Sequence, residues 1–294
     1  IAFRVSNTIR ELYKDAELLK TEVERFRLIE EKGTVIRLGV VPLEAPAVMF
    51  KKFSPLANYL SRRLNKTVEL KVAIDYADAV SDIGNNATQL CYMTPSTYIE
   101  ANKKYSGINV LVKVLREGKP YHHTVIITKA DSDIRSVEDL KGRTFAFGNI
   151  HSTSGHIIPR SMLKDAGIDI DQLQYYNYFG HHDDVAKAVL KGDFDAGGVM
   201  ESTAYKYKEQ GVNLLKFSDE IPEFNICCNS FIDERDISII KTSLVSLDES
   251  SAEGAAILKS VDKSYTGFME AYDTDYDSIR AKMLTLGMLQ AVKR

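Results

Sequence analysis

Tryptophan is absent from this chain, and cysteine is nearly so, with three in 294 residues. Cys91, Cys227 and Cys228 lie in apolar stretches, without a CxxC motif or a cysteine/histidine ligand spacing. That excludes a disulfide framework and a zinc site of that type, and reads as buried free thiols. No apolar run approaches the roughly 20 residues that a membrane-spanning helix needs. An excess of positive charge is missing too. The formal net charge is −3, so no global basic field draws nucleic acid, and any anion has to be caught by a local site. There is no metal-spaced cluster, nucleophile elbow or cofactor fingerprint, so no metal and no cofactor is expected. No leader segment is present, but the chain opens on Ile1 rather than Met. An export signal or membrane anchor upstream of residue 1 is therefore an expectation.

What is there is an ordinary globular balance, 44% hydrophobic and 27% charged, in a chain long enough for two domains. Residues 5–32 are rich in Glu, Lys, Arg and Leu and carry Val5, Ile9, Leu12, Leu19, Val23, Phe26 and Ile29 close to helical spacing, with Gly33 as a C-cap. This predicts a long amphipathic helix that packs on the domain, dimerises or serves as the stalk of a tethered protein. From Thr34 the pattern alternates. Strands are predicted at 35–41, 68–74, 89–93 and 110–115, with helices at 50–65, 78–83 and 98–104 between them. A long strand at 122–128 then leaves this unit. A second unit follows, with a strand at 143–147, another at 175–179 followed by a helix at 184–191, and strands at 192–199 and 213–217. A strand at 222–231 leads back, and residues 236–294 read as helical. Strands alternating with helices predict parallel sheets covered by helices, with ligands outside the carboxyl ends of the strands. Tyr76, Tyr92, Met93, Thr94 and Ser96 fall at that edge.

The predicted fold class is therefore α/β, two-lobed, with two crossover strands and a long N-terminal helix over residues 1–33. Lobe one takes 34–125 plus 223–294, and lobe two takes 126–222. Two lobes joined by two crossovers form a cleft that closes on a ligand by hinge motion, the architecture of bacterial solute-binding proteins. Within lobe two, Ser152, Thr153, Ser154 and Gly155 follow a strand and precede an apolar, helix-compatible run. Hydroxyls in a first helical turn sit beside unpaired N–H groups and the positive end of the dipole, a setting that binds anions; an ordinary N-cap uses the same residues.

Six segments in order, LGVVP, DYADAV, QLCYMTPSTYIEA, SVEDLKGRTFAFG, STSG and GHHDDVAKAVLKGDFDAG, resemble the phosphate/phosphite/phosphonate-binding components of ABC importers, a type II periplasmic-binding-protein-like family. The resemblance runs from about Arg37 to Arg294. It implies that Ser152, Thr153 and Ser154 hold an anionic head group, that Tyr76 contributes, and that His182, thirteen residues before Asp195, opens a lobe-two helix at the site with His181 facing away. It also puts an aromatic contact near Tyr92. Where aminophosphonate binders carry acids for the ligand's ammonium, an ungapped count finds Ser202 and Phe224; a slip of one residue brings in Glu201 or Glu223. With the acids displaced, the expected ligand is phosphate, phosphite, methylphosphonate or a related small oxyanion. The expected ligand set is Tyr76, Tyr92, Thr94, Ser152, Thr153, Ser154, His182 and Glu201.

Three functions compete. The first is a periplasmic or otherwise extracytoplasmic binding protein serving an ABC transporter permease. The second is the ectodomain of a membrane receptor such as a histidine kinase, signalling through the N-terminal helix to a transmembrane region. The third is an enzyme built on His182 with Asp183 or on Ser152 with His156, and it has no supporting motif.

Overall fold

The structure is a computed structural model that describes residues 35–289; the amphipathic segment at 5–32 lies outside them, as do residues 290–294. Two mixed sheets dominate. The larger has six strands: β1 (Val35–Val40), β2 (Thr67–Val72), β3 (Leu90–Met93), β4 (Asn109–Arg116), β12 (Asn225–Cys228) and β13 (Tyr265–Glu270), in the order β13-β4-β12-β3-β1-β2. The smaller has five: β6 (Thr124–Lys129), β7 (Thr144–Phe147), β8 (Tyr175–Tyr178), β9 (Ala196–Met200) and β10 (Val212–Phe217), in the order β10-β6-β9-β7-β8. Between them, β5 (Tyr121–His122) and β11 (Ile221–Pro222) pair antiparallel, Ile221 opposite His122. These are the two crossovers.

The sheets are not purely parallel. β1 runs parallel to β2 and β3, and β7 to β8 and β9, but β12 lies antiparallel between β3 and β4, and β6 is antiparallel to β9 and β10. The mixture follows from the crossovers, because a strand that returns from the other lobe enters its sheet from the opposite end. Helix α1 (Pro46–Leu64) starts on a proline at its first position and buries Met49, Phe53, Leu56, Leu60 and Leu64 on one stripe against the first sheet. The second sheet is covered on both faces. Along β6, Val125 and Ile127 enter one core with Val185, Val189 and Val199, while Ile126 enters the other with Phe145, Phe147 and Leu163.

Three expected elements differ. The strand at 122–128 is broken at His123, whose amide and carbonyl are both taken by Glu201 and so are withdrawn from the ladder. The strand at 222–231 is paired only at Ile221–Pro222 and Asn225–Cys228; beyond it, the Asn229 side-chain amide donates to the carbonyls of Ile83 and Thr88. Within 236–294, read as helical, Tyr265–Glu270 is an edge strand on β4. Its six residues are too few for a period to emerge, and its pairing is non-local.

The lobes are in contact. Ile157, Ile158 and Met200, from the second half of the fold, belong to the same apolar cluster as Phe53, Tyr92 and Phe224. Two further bonds join the lobes at the rim: His151 Nδ1 lies 2.9 Å from Glu100 Oε2, and His181 Nδ1 lies 3.0 Å from the Leu43 carbonyl.

Candidate functional site

The expected ligand residues, Tyr92 apart, stand at the starts of helical segments that follow the carboxyl ends of β2, β3, β7, β8 and β9. Tyr76 opens α2 (Tyr76–Gly84), whose N-cap Asp75 accepts the Asp78 amide at 2.7 Å. Thr94 caps α3 (Pro95–Lys104) in a reciprocal box with Thr97, each side chain accepting the other's amide, at 3.2 and 3.0 Å. Ser152 caps a π-helical turn, Thr153–Ile157, that runs directly into α4 (Ile158–Asp165). His182 opens α5 (His182–Lys191), and Glu201 opens α6 (Glu201–Lys208). Helix starts carry unpaired amides and partial positive charge, so their convergence at a cleft favours a bound anion.

The centre is the lobe-two loop. Ser152 Oγ accepts the Gly155 amide at 3.0 Å, and the Ser152 carbonyl accepts those of His156 and Ile157 at 3.2 and 3.1 Å. This is the wide π geometry, which is frequent at functional sites. The Thr153 and Ser154 amides lie in the first turn, where no carbonyl of the preceding turn is in place for them. Glycine is required here. The Gly148 amide donates to the Gly155 carbonyl at 2.7 Å, and a Cβ on Gly155 would lie 3.0 Å from Gly148 Cα and 3.1 Å from His182 Cε1. The two glycines of β9 act likewise. A Cβ on Gly198 would strike Pro159, and one on Gly197 would strike Val185, so their absence lets α4 and α5 press onto the sheet.

Lobe one meets this loop with side chains. The Ser96 amide donates to Thr153 Oγ1 at 2.9 Å, the two hydroxyls are 2.7 Å apart, and Ser96 Oγ donates to the His151 carbonyl at 2.7 Å. Thr94 Oγ1 is 3.1 Å from Ser96 Oγ, extending the chain of hydroxyls. Burial pushes the Tyr76 pKa up to about 12, against a smaller lowering by the neighbouring Ser152 side chain, so the hydroxyl is a neutral donor. Tyr76, Thr94, Ser152 and Thr153 are thus brought together, with Ser154 in the same turn. Its carbonyl accepts the Thr124 hydroxyl at 3.0 Å. Ser96, placed at the sheet edge by the sequence but left out of the expected ligand set, is the link between lobes. Its signal was its position two residues after an N-cap threonine.

His182 packs on Gly155, and its Nδ1 accepts the Met200 amide at 3.3 Å. That bond leaves the proton on Nε2, so the ring donates while neutral. Burial, and then the nearby His122, pushes its pKa down to about 4. Tyr92 is placed elsewhere. It is fully buried in lobe one, its hydroxyl bonded to that of Tyr265 and its ring stacked on Phe224 at 5.3 Å.

Both acids have partners, of different kinds. Glu201 Oε1 accepts the His123 amide at 3.2 Å. Glu223 is wholly buried, 2.6 Å from Arg116 Nε and 3.3 Å from His122 Nδ1; burial raises its pKa, but these two neighbours outweigh it and hold the pKa down to about 2. The pairings an enzyme would use are absent among the described residues. His156 bonds the Ile150 carbonyl and Tyr178 rather than Ser152, and Asp183 bonds Lys206. Nor do the described residues group three His, Cys, Asp or Glu as a metal would need.

Two α/β lobes, two crossovers and a hydroxyl-rich cleft define a solute-binding protein. Residues 38–276 match the family described as the periplasmic substrate-binding protein of ABC phosphonate transporters, and the chain belongs to that family. It is therefore a binding component of a transport system, not an enzyme. It is 25% identical over 269 residues to the phosphate-import protein PhnD of Mycolicibacterium smegmatis, covering 83% of this chain and 84% of that one. With the tetrathionate sensor histidine kinase TtrS of Salmonella typhimurium it shares 22% identity over 160 residues, 52% of this chain and 27% of the kinase. Among solved structures, PhnD1 of Prochlorococcus marinus in complex with methylphosphonate superposes with a TM-score of 0.78 at 21% identity, over 87% of this chain and 99% of that one. The binding-protein component of a phosphonate transporter from Pseudomonas aeruginosa gives 0.75 at 18% identity, covering 86% and 87%. No described helix is long and apolar enough to cross a membrane.

Proposed function

We propose that the chain captures a small phosphorus oxyanion, such as phosphate, phosphite or methylphosphonate, between its lobes in an extracytoplasmic compartment and delivers it to an ABC transporter permease. The observation that carries this reading is the meeting of helix starts at Ser152–Gly155, Thr94–Ser96, Tyr76 and His182, all neutral donors. Charge-assisted hydrogen bonds to backbone amides and hydroxyls are strong in such a dry site. The pairing of Glu223 supports a ligand without an ammonium group. Glu223 is paired with Arg116 and so does not balance a second buried cation, while Glu201 has one oxygen on the His123 amide.

Thermal unfolding with phosphate, phosphite, methylphosphonate, sulfate and 2-aminoethylphosphonate tests this, because a ligand of the native state raises the melting temperature by mass action. The expected result is a shift with small phosphorus oxyanions and none with the aminophosphonate. A shift with the aminophosphonate alone would overturn the charge argument. The similarity to a sensor kinase favours a second reading, in which the same cleft is a receptor's ligand-binding module tethered to a membrane. Uptake of the ligand by cells that lack this protein but keep the permease would favour it over transport.

A further inference from the structure

One buried imidazole plays no part in the site as built so far. His122 lies on the first crossover with a side chain 1% exposed; Nδ1 faces only Glu223 Oε1, at 3.3 Å, and Nε2 has no hydrogen-bond partner among the described residues. Its ring is fixed by stacking on Phe224, centroids 5.8 Å apart, and Phe224 stacks in turn on Tyr92. A buried polar group without a partner costs free energy and calls for an explanation. The charged and titratable groups around it are few. Glu223 comes from the second crossover, with Oε1 3.3 Å from Nδ1; Arg116, at the end of β4, holds that carboxylate; and His182, from the first turn of α5, is near enough for His122 to lower its pKa. The ring therefore has a carboxylate at Nδ1 and a free Nε2, and two residues along the chain Thr124 Oγ1 donates to the Ser154 carbonyl at 3.0 Å, which sets this crossover beside the anion-binding turn.

We infer that His122 is a further ligand-binding residue, whose Nε2–H donates to an oxygen of the captured oxyanion while Nδ1–H faces Glu223. The inference rests on the oxyanion reading above. An imidazole between two anions needs a proton on each nitrogen, so in the complex His122 is an imidazolium shared by Glu223 and the ligand. His182 needs no such proton, because its Nδ1 accepts the Met200 amide, which leaves a proton on Nε2 to donate from the neutral ring. The two histidines thus divide the work: one gives a neutral hydrogen bond, the other a charge. Arg116 matters indirectly. It keeps Glu223 ionised, and with it the counter-charge for His122.

The test uses the whole chain with phosphite as the probe. Long-range proton–nitrogen spectra of the histidine rings, assigned through backbone connectivity in the wild-type protein, report the protonation of each ring directly. The expected result is a His122 ring doubly protonated in the complex and a His182 ring singly protonated. Calorimetry on His122→Asn should show at least a tenfold loss of phosphite affinity. A His122 ring that stays singly protonated in the complex overturns the inference, even if the variant fails to fold. So does a folded His122→Asn protein that binds phosphite as tightly as the wild type. Absence of binding by the wild-type protein to any of the phosphorus oxyanions overturns the oxyanion reading and the inference with it.

Discussion

The two sides of the cleft are built on different principles. Lobe two offers backbone: a π turn whose Thr153 and Ser154 amides have no acceptor in a preceding turn, held by Gly148 against Gly155 and by the Ser152 cap. Lobe one offers side chains: the hydroxyls of Tyr76, Thr94 and Ser96, each at the start of a helix. Backbone donors are fixed before any ligand arrives and lose little entropy on binding, whereas hydroxyls rotate and reach their partner only when the lobes close. Lobe two should therefore carry most of the affinity, and lobe one should sense closure.

The largest effect is expected from Gly155→Ala. Its Cβ would sit 3.0 Å from both Gly148 Cα and Ser152 Oγ and 3.1 Å from His182 Cε1, so the turn and the histidine move together. Calorimetry should show a loss of oxyanion affinity of at least about a hundredfold, since several hydrogen bonds to a charged ligand are displaced at once. Far-ultraviolet circular dichroism should remain native. Next comes Thr153→Ala, for which the loss of a hydrogen bond to a charged group predicts about 1.5–3 kcal/mol, roughly ten- to hundredfold. Ser96→Ala, the lobe-one partner 2.7 Å away, should cost only a few-fold. If Ser96→Ala proved the more damaging, the division between the lobes would be wrong.

A smaller effect concerns pH. His182 and His156 are both pushed down to about 4 by burial, against an ordinary value of 6.5. Between those values the unfolded chain binds protons that the folded chain does not. The stability from keeping these rings neutral is thus complete above about pH 6.5 and lost as pH falls toward 4. The melting temperature of the unliganded protein should drop between pH 7.5 and 5, and His182→Gln should flatten that drop. A flat wild-type profile would show that the rings are open to water.

Much of this was legible in the sequence, for physical reasons that differ along the chain. Ser152, Thr153 and Ser154 announced themselves because N-cap chemistry is local: a hydroxyl, a following turn and an apolar run suffice. The α/β class followed from alternating periods, as in Val35–Val40 leading to Pro46–Leu64. What the sequence hid was non-local. Nothing around Tyr265 signals that it will lie on β4, and nothing around His122 signals that Glu223, a hundred residues on, will meet its ring. The break at His123 was hidden too, since it depends on Glu201 taking both of its backbone groups. Side-chain direction was the other gap. The carboxyl end of β3 was found, but which face Tyr92 takes depends on strand register.

Tyr92→Phe is accordingly the finest probe of that register and should have the smallest effect on binding. The ring lies against Phe53 at 4.8 Å and stacks on Phe224, and the hydroxyl meets that of Tyr265 inside lobe one, where burial raises its pKa well above the ordinary range. Removing the hydroxyl leaves Tyr265 without that partner in a buried position beside Arg116. Stability should fall by about 1–2 kcal/mol, read by denaturant unfolding, while oxyanion affinity stays within about twofold. The opposite pattern, a tenfold weaker affinity with unchanged stability, would mean that the hydroxyl turns toward the ligand on binding. The stack of Tyr92, Phe224 and His122 would then be the route by which lobe one's core reaches the site.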